Sequence, residues 1–366
     1  MKKIICILCI TAGFISCKKE IADKALSTSA NESRIVSPSD IITTKADYYD
    51  DLFTRFGVEW TGGDGANSYR LPDGRDLWLF GDSFIDTVRP GRTRPVYSST
   101  VHNCMAYTTS KPGEFVTVCK GTLANPQAYF VPDDPDEFYW PAHCFTSKNN
   151  KLLYVSLVRV IANGNGDGFG FNVLGTDIAT LSLPSLSILK IDRFTNGNRI
   201  DWTSAIMEDS NYVYIYGAES TQFNKFMHVA RTTKTDPVKD LRYWNGKGWT
   251  KDSSQSIKVR PGVSESYSVF KDGGKYYLLT QGILLSPNIY IYDGPSPVGP
   301  FENRRLVYTT PYATSSCITY NAVAHTQFTQ DGKLLVGYSS NSNDATELYN
   351  KADTYRPYFV WAENWQ

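Results

Sequence analysis

The sequence predicts an all-β chain folded as a five-bladed β-propeller. Three observations carry that prediction: a polar turn followed by an apolar-aromatic strand recurs five times, the recurrence has a period near sixty residues, and aromatic side chains are in excess. The 366 residues include 24 Tyr, 18 Phe and 8 Trp. Lys+Arg and Asp+Glu both number 37, so the formal charge is zero, while hydrophobic residues make up 41%. Disorder is excluded, because it needs low hydrophobicity and high net charge. A balanced charge also offers no field for a phosphate backbone, so no nucleic-acid partner is expected. With 27 Gly and 18 Pro, a helical bundle is disfavoured.

The first copy of the unit is Pro72-Asp73-Gly74-Arg75-Asp76 before Leu77-Trp78-Leu79-Phe80. The second is Lys148-Asn149-Asn150-Lys151 before Leu152-Leu153-Tyr154-Val155, and the third is Glu208-Asp209-Ser210-Asn211 before Tyr212-Val213-Tyr214-Ile215. Lys271-Asp272-Gly273-Gly274 before Lys275-Tyr276-Tyr277-Leu278 follows, then Gln330-Asp331-Gly332 before Lys333-Leu334-Leu335-Val336. Anchored on Asp73, Asn149, Asp209, Asp272 and Asp331, the gaps are 76, 60, 63 and 59 residues. Turns flanked by such runs read as β-hairpins. A short strand is expected before each turn, at 67–70, 142–147, 204–207, 267–270 and 324–328. Four strands per sixty residues, five times over, is a propeller pattern. A β-sandwich of twenty strands would need two domains, and no linker separates residues 50 and 366. Large flat side chains then have a use, filling the wedges between blades.

Residues 1–16 read as a secretory signal: Lys2 and Lys3 precede an apolar run from Ile4 to Ile15, too short to span a bilayer. The run ends in Phe14-Ile15-Ser16-Cys17, which resembles a bacterial lipobox and marks Cys17 for lipidation. Residues 17–49 read as a flexible tether and 50–366 as the propeller. An outer-membrane lipoprotein, facing the periplasm or the cell surface, is the expected address. Of seven cysteines, Cys104, Cys119, Cys144 and Cys317 remain in the body. Their spacing fits no zinc site. One disulfide, with Cys104 and Cys119 nearest in sequence, and buried free thiols both stand as readings.

A propeller gathers the loops entering its innermost strands at one mouth of the channel, so polar residues there are the site candidates. Asp64 sits among glycines in Thr61-Gly62-Gly63-Asp64-Gly65, which permit close approach of a ligand. Asp82 ends the apolar strand Leu77 to Phe80, a costly place for a carboxylate without a partner or a task. Glu265 precedes an innermost strand, and Glu219 follows a second strand as Asp82 does. Trp60, Trp140, Tyr69 and Tyr267 stand beside these acids as sugar-stacking candidates, with Asn67 reaching hydroxyls. The glycine-rich 163–170 segment lacks the helix a phosphate cradle needs and reads as a loop.

Blade one, Trp60-Thr61-Gly62-Gly63-Asp64-Gly65 and then Leu71-Pro72-Asp73-Gly74-Arg75-Asp76-Leu77-Trp78-Leu79-Phe80-Gly81-Asp82-Ser83-Phe84, resembles the opening blade of a bacterial five-bladed propeller family. That family includes endo-D-arabinanases and many lipoproteins. Tyr139-Trp140-Pro141, Ser296-Pro297-Val298-Gly299-Pro300-Phe301, Tyr320-Asn321-Ala322-Val323-Ala324-His325 and Arg356-Pro357-Tyr358-Phe359 extend the resemblance over residues 55–362. It is more distantly similar to arabinanase, xylosidase and fructosidase propellers. The resemblance implies a glycoside hydrolase acting on a furanoside-containing polysaccharide, with Asp64 and Asp82 as the catalytic pair and Glu219 and Glu265 in support. Glycoside hydrolysis uses two carboxyl groups, one to protonate the leaving oxygen and one to attack or to activate water. A non-catalytic carbohydrate-binding propeller and an interaction scaffold are the competing readings. No cofactor is implied, although relatives hold a water or metal ion at the channel centre near a histidine matching His325. Where relatives carry an acid after Trp-Pro, this chain has His143. A monomer is expected. His102 and His228 carry no sequence signal.

Overall fold

The computed structural model describes residues 41–366 apart from 110, 112, 165–169 and 197–198. The expected signal, Cys17 and the centre of the glycine-rich segment lie outside the described residues. Among the described residues, five antiparallel sheets of four to six strands follow one another along the chain, with a two-stranded ribbon, Lys120–Thr122 with Asn125–Gln127, between the first and second. Their innermost strands are Glu59–Arg70, Glu137–Thr146, Asp201–Glu208, Tyr267–Asp272 and Cys317–Ala324. Each is followed by a hairpin at the predicted turn. In the first two turns Gly74 and Asn150 take positive φ, 87° and 57°, where glycine and asparagine are the residues that bear it most readily.

Two expectations are corrected. The tether does not extend to residue 49: Ile42–Lys45 pairs antiparallel with Pro357–Glu363 as the outermost strand of blade five, and Asp47–Leu52 is a short helix. The first residues of the domain thus complete its last blade, so the ring is closed by backbone hydrogen bonds rather than by side-chain packing alone. The strand expected at 324–328 is a 3₁₀ turn at Thr326–Phe328, and the innermost strand of blade five lies earlier, at Cys317–Ala324.

Five hydrophobic clusters fill the five seams. Phe53, Trp60, Trp78, Phe80 and Phe359 meet where blade five abuts blade one, with Phe53 stacked on Phe359 at 5.2 Å. Leu79, Leu153, Val155 and Leu157 join blades one and two, and Phe145, Tyr154, Trp202 and Ile215 join two and three. Tyr216, Val229, Tyr267 and Val269 join three and four, and Phe270, Ile291, Val336 and Trp365 join four and five. At about 1.5–3 kcal/mol for each large apolar side chain taken out of water, these wedges dominate the stability of the ring. Cys104 and Cys119 are free thiols. Met105 pairs with Val118, so the same register sets Cys104 opposite Cys119 one step further along. No helix among the described residues is long and apolar enough to cross a membrane.

Candidate active site

Asp64 falls in an interruption of the blade-one ladder. Gly63 pairs with Ser83 and Gly65 with Phe80, leaving Asp64 facing Gly81 and Asp82. Gly81 is required there, because a Cβ at that position would stand 2.5 Å from the Asp64 carboxyl oxygen. Both aspartates are half-buried. Burial first, and then the charge of Asp82, push the Asp64 carboxyl up to about 7. Tyr320 donates its hydroxyl to Asp64 Oδ2 at 2.7 Å and takes the Asn341 amide at 3.3 Å. Tyr355 lies on the other side, its hydroxyl donating to the Asp82 carbonyl at 2.8 Å.

The Asp82 carboxylate is held from behind. His102 Nδ1 lies 2.9 Å from Oδ1, and the Trp140 indole donates to the same oxygen at 3.3 Å. His102 is itself stacked on Phe138, with ring centroids 4.1 Å apart. Among the described residues no lysine or arginine pairs with either aspartate. The described side chains acting on them are each other, the phenols of Tyr320 and Tyr355, the His102 imidazole and the Trp140 indole, with the Asn341 amide behind Tyr320. Such a set keeps one carboxyl protonated near neutral pH while the other accepts hydrogen bonds.

The other expected residues divide. Trp140 joins the pair. Trp60 does not: it is fully buried, packed on Phe53 and Phe80, with its indole on Ser83 at 3.3 Å, and has no face to offer a sugar. Tyr69 points to the other end of the channel, where its hydroxyl donates to Glu208 at 2.9 Å. Tyr267 is buried and donates to the Gly217 carbonyl at 3.0 Å, tying blade four to blade three. Asn67 is buried with its Oδ1 unpartnered among protein atoms. His143 donates from Nε2 to the Ser204 carbonyl at 3.0 Å, and burial lowers its pKa to about 4. It is a neutral bond between blades two and three, not a replacement acid.

Glu219 is ringed by His228 at 2.9 Å, Lys258 at 3.2 Å and Arg199 at 3.6 Å. Burial works to raise its pKa, but these partners outweigh it and hold the carboxyl below its ordinary range. Glu265 pairs with Lys225 in an exposed setting. Neither is among the groups acting on Asp64. His325 is buried between Trp78 and Phe359, with Nδ1 on Ser68 at 2.5 Å and Nε2 unpartnered. Among the described residues no three His, Cys, Asp or Glu side chains converge for a metal. A single neutral imidazole nitrogen without a carboxylate fits a water better than a cation. An open cavity of about 320 Å³ lined by Tyr48, Arg70, Asp76 and Gln327 lies beyond the opposite end of the blade-one hairpin. There Asp76 is paired with Arg70; burial still outweighs that partner and raises its carboxyl, but no second carboxylate acts on it.

Sequence reasoning passed over His102, Asn341 and Tyr355. His102 is two residues ahead of a third strand, and Tyr355 immediately precedes Arg356-Pro357. No spacing rule links either to Asp82.

A five-bladed propeller with two unneutralised carboxyls at one mouth is thus the class of protein that fold and site define. The chain belongs to the family described as a domain of unknown function, DUF5005, which matches residues 46–365. A candidate hydrolase from Bacteroides ovatus shares the fold, with a TM-score of 0.76 at 23% identity over 89% of this chain and 91% of that one. Weaker similarities include a GH43_1 enzyme from Xanthomonas citri complexed with xylose, with TM-score 0.49, 12% identity and coverage of 87% and 90%. Another is the α-L-arabinofuranosidase of Podospora anserina, with TM-score 0.46, 10% identity and coverage of 84% and 92%. No curated protein matches the sequence.

Proposed function

We propose that the protein is a glycoside hydrolase in which Asp64 delivers a proton to the leaving oxygen. Asp82, as carboxylate, then activates a water or attacks the anomeric carbon. The observation that carries this reading is the asymmetry of the pair. Asp64 holds a proton to about pH 7, whereas Asp82 accepts from an imidazole and an indole. Trp140 binds Asp82, is half-buried and stands edge-on to Phe171, and is the aromatic side chain that would flank a sugar ring at the pair. The resemblance in blade one favours a furanoside-containing polysaccharide, with D-arabinan the leading substrate.

The address is part of the same proposal. A lipid anchor at Cys17 would precede the strand Ile42–Lys45, and Ile42 pairs with Glu363 near the 330–333 turn. That end of blade five is the one away from Asp64, so an anchored protein would present its acid pair outward to a polymer.

The decisive experiment incubates the purified propeller with arabinans, fructans, xylans and host glycans and analyses the products. New reducing ends from one glycan class, abolished in Asp64→Asn and Asp82→Asn, support the reading. Glycan binding without product would favour the carbohydrate-binding alternative. That second reading has its own support, because Glu219 and Glu265 are both tied to cations and supply no third acid.

A further inference from the structure

The cavity at the end of blade one away from the acid pair has a chemistry of its own. Its walls come from three parts of the chain that meet only because the ring closes between blades five and one. The short helix Asp47–Leu52 gives Tyr48 and Tyr49, the blade-one hairpin gives Arg70 and Asp76, and the blade-five turn gives Phe328 and Gln330. At about 320 Å³ the space falls at the lower end of the roughly 300–1,000 Å³ of small-ligand sites.

Charge narrows the ligand first. Arg70 and Asp76 are the charged side chains of the lining, and they pair with one another through two guanidinium nitrogens. The lining as a whole is therefore neutral, and neither an anion nor a cation gains a net attraction there. The Arg70 guanidinium also lies over the Phe328 ring at 5.7 Å, which holds its fork in one place.

Hydrogen bonding narrows it further. Thr108 closes the third strand of blade one, Cys104–Thr108, and is only 7% exposed, yet its hydroxyl meets no partner among the described residues. Polar groups so deeply covered are normally bonded, and the cavity is the space that Thr108 lines. The half-buried Tyr49 phenol is likewise unbonded among the described residues. Burial, and then the charge of Asp76, push its pKa up, so it keeps its proton and stays a donor. Phenols, hydroxyls and amides both donate and accept, as the hydroxyls of a sugar do. Tyr48 adds an aromatic surface: it is 57% exposed, and its ring contact among the described residues is edge-on, with Tyr49 at 5.1 Å.

We propose that this cavity is a glycan-binding site separate from the acid pair. It takes an uncharged sugar unit, with Tyr48 against the apolar face of the ring and Thr108, Tyr49 and Asp76 on its hydroxyls. Because it lies at the opposite end of the blade-one hairpin from Asp64, it holds a glycan without cutting it. The site goes beyond the glycoside hydrolase reading and does not depend on Asp64 or Asp82 being catalytic.

The test is affinity electrophoresis of the Asp64→Asn protein in gels containing soluble arabinan, xylan, galactan or polygalacturonate. A neutral polymer is expected to retard it, and Tyr48→Ala or Thr108→Val, added singly, should each weaken that retention by about tenfold. Tyr48 is exposed and Thr108→Val removes little besides an unbonded hydroxyl, so a merely structural role would leave retention unmoved; if one variant fails to fold, the other decides. Retention unchanged by these substitutions, retention by the acidic polymer alone, or no retention by any polymer overturns the proposal. In the protein with Asp64 intact, Tyr48→Ala should raise KM on the retained polymer and leave kcat/KM on a short oligosaccharide of the same sugar unchanged. If no glycan is cut but retention still depends on Tyr48 and Thr108, the hydrolase reading fails and this site stands. If a glycan is cut and retention ignores both residues, the site fails and the hydrolase reading stands.

Discussion

Asp82 in blade one and Glu219 in blade three occupy matching places, each near the end of its blade's second strand. Each also takes a histidine at 2.9 Å from the third-strand region, His102 in one case and His228 in the other. What surrounds them differs. Lys258 and Arg199 close on Glu219, whereas Asp82 has an indole and a second carboxyl beside it. The same backbone position therefore makes a fixed ion pair in one blade and a pair of neighbouring carboxyls in another. Propeller symmetry supplies the place, and the neighbouring blade's side chains decide the chemistry.

The largest expected effect separates the two on activity. On the cleaved glycan, Asp64→Asn and Asp82→Asn should each lower kcat by about 10³-fold or more, the scale on which acid–base groups act. Glu219→Gln should change kcat less than about tenfold. Initial rates for the three variants check this, and a Glu219→Gln as dead as Asp82→Asn would remove the distinction.

Stability should reverse the order. The raised Asp64 pKa means that the folded state resists ionisation, so the group destabilises the fold progressively as pH rises from its unfolded value near 3.8 towards about 7. Asp64→Asn removes that penalty and should stabilise the protein at pH 7.5 by roughly 1–2 kcal/mol. Glu219 is the opposite case. Its depressed pKa contributes stability above its unfolded value of 4.5 that is lost as pH falls through the folded value. Glu219→Gln also leaves Lys258 and Arg199 facing one another, and should destabilise by about 1–3 kcal/mol. Urea midpoints at pH 7.5 read both signs.

How far the sequence foretells this contrast depends on range along the chain. The five turns at Asp73, Asn149, Asp209, Asp272 and Asp331 are local, and periodicity found them all. Asp64 and Asp82 are eighteen residues apart in one hairpin, close enough for a pattern to suggest that they meet. Tyr355 is more than 250 residues from both, and nothing local distinguishes it from the other tyrosines. Trp60 and Trp140 have similar polar neighbours, yet one fills a seam and the other touches Asp82; that choice is made by Phe53 and Phe115 arriving from elsewhere. The closing strand Ile42–Lys45 escaped because Ile-Thr-Thr-Lys is too short and too polar to stand out from a tether.

Acid titration extends the comparison to the histidines. Burial lowers His143 and His228 to about 4 and His325 to about 3, all well under the ordinary 6.5. The unfolded chain therefore binds these protons first, and stability should fall steadily from about pH 6.5 to pH 4. His228→Gln should flatten that fall in part. Thermal midpoints across that range check the sign.

The smallest expected effect concerns Glu265, which sequence reasoning ranked beside Glu219. Its side chain is 45% exposed and its partner Lys225 is 32% exposed. Water screens such a pair, and holding two long side chains in one geometry offsets much of the remaining attraction. Lys225 moreover has a second acid nearby in Asp201, whose charge also acts on it. Glu265→Gln should therefore shift the urea midpoint by no more than about 0.5 kcal/mol equivalent and leave kcat unchanged. A loss of activity there with the fold intact would place a third acid in the mechanism. The division would then no longer run between blade one and blade three, but between the channel mouth as a whole and the seams behind it.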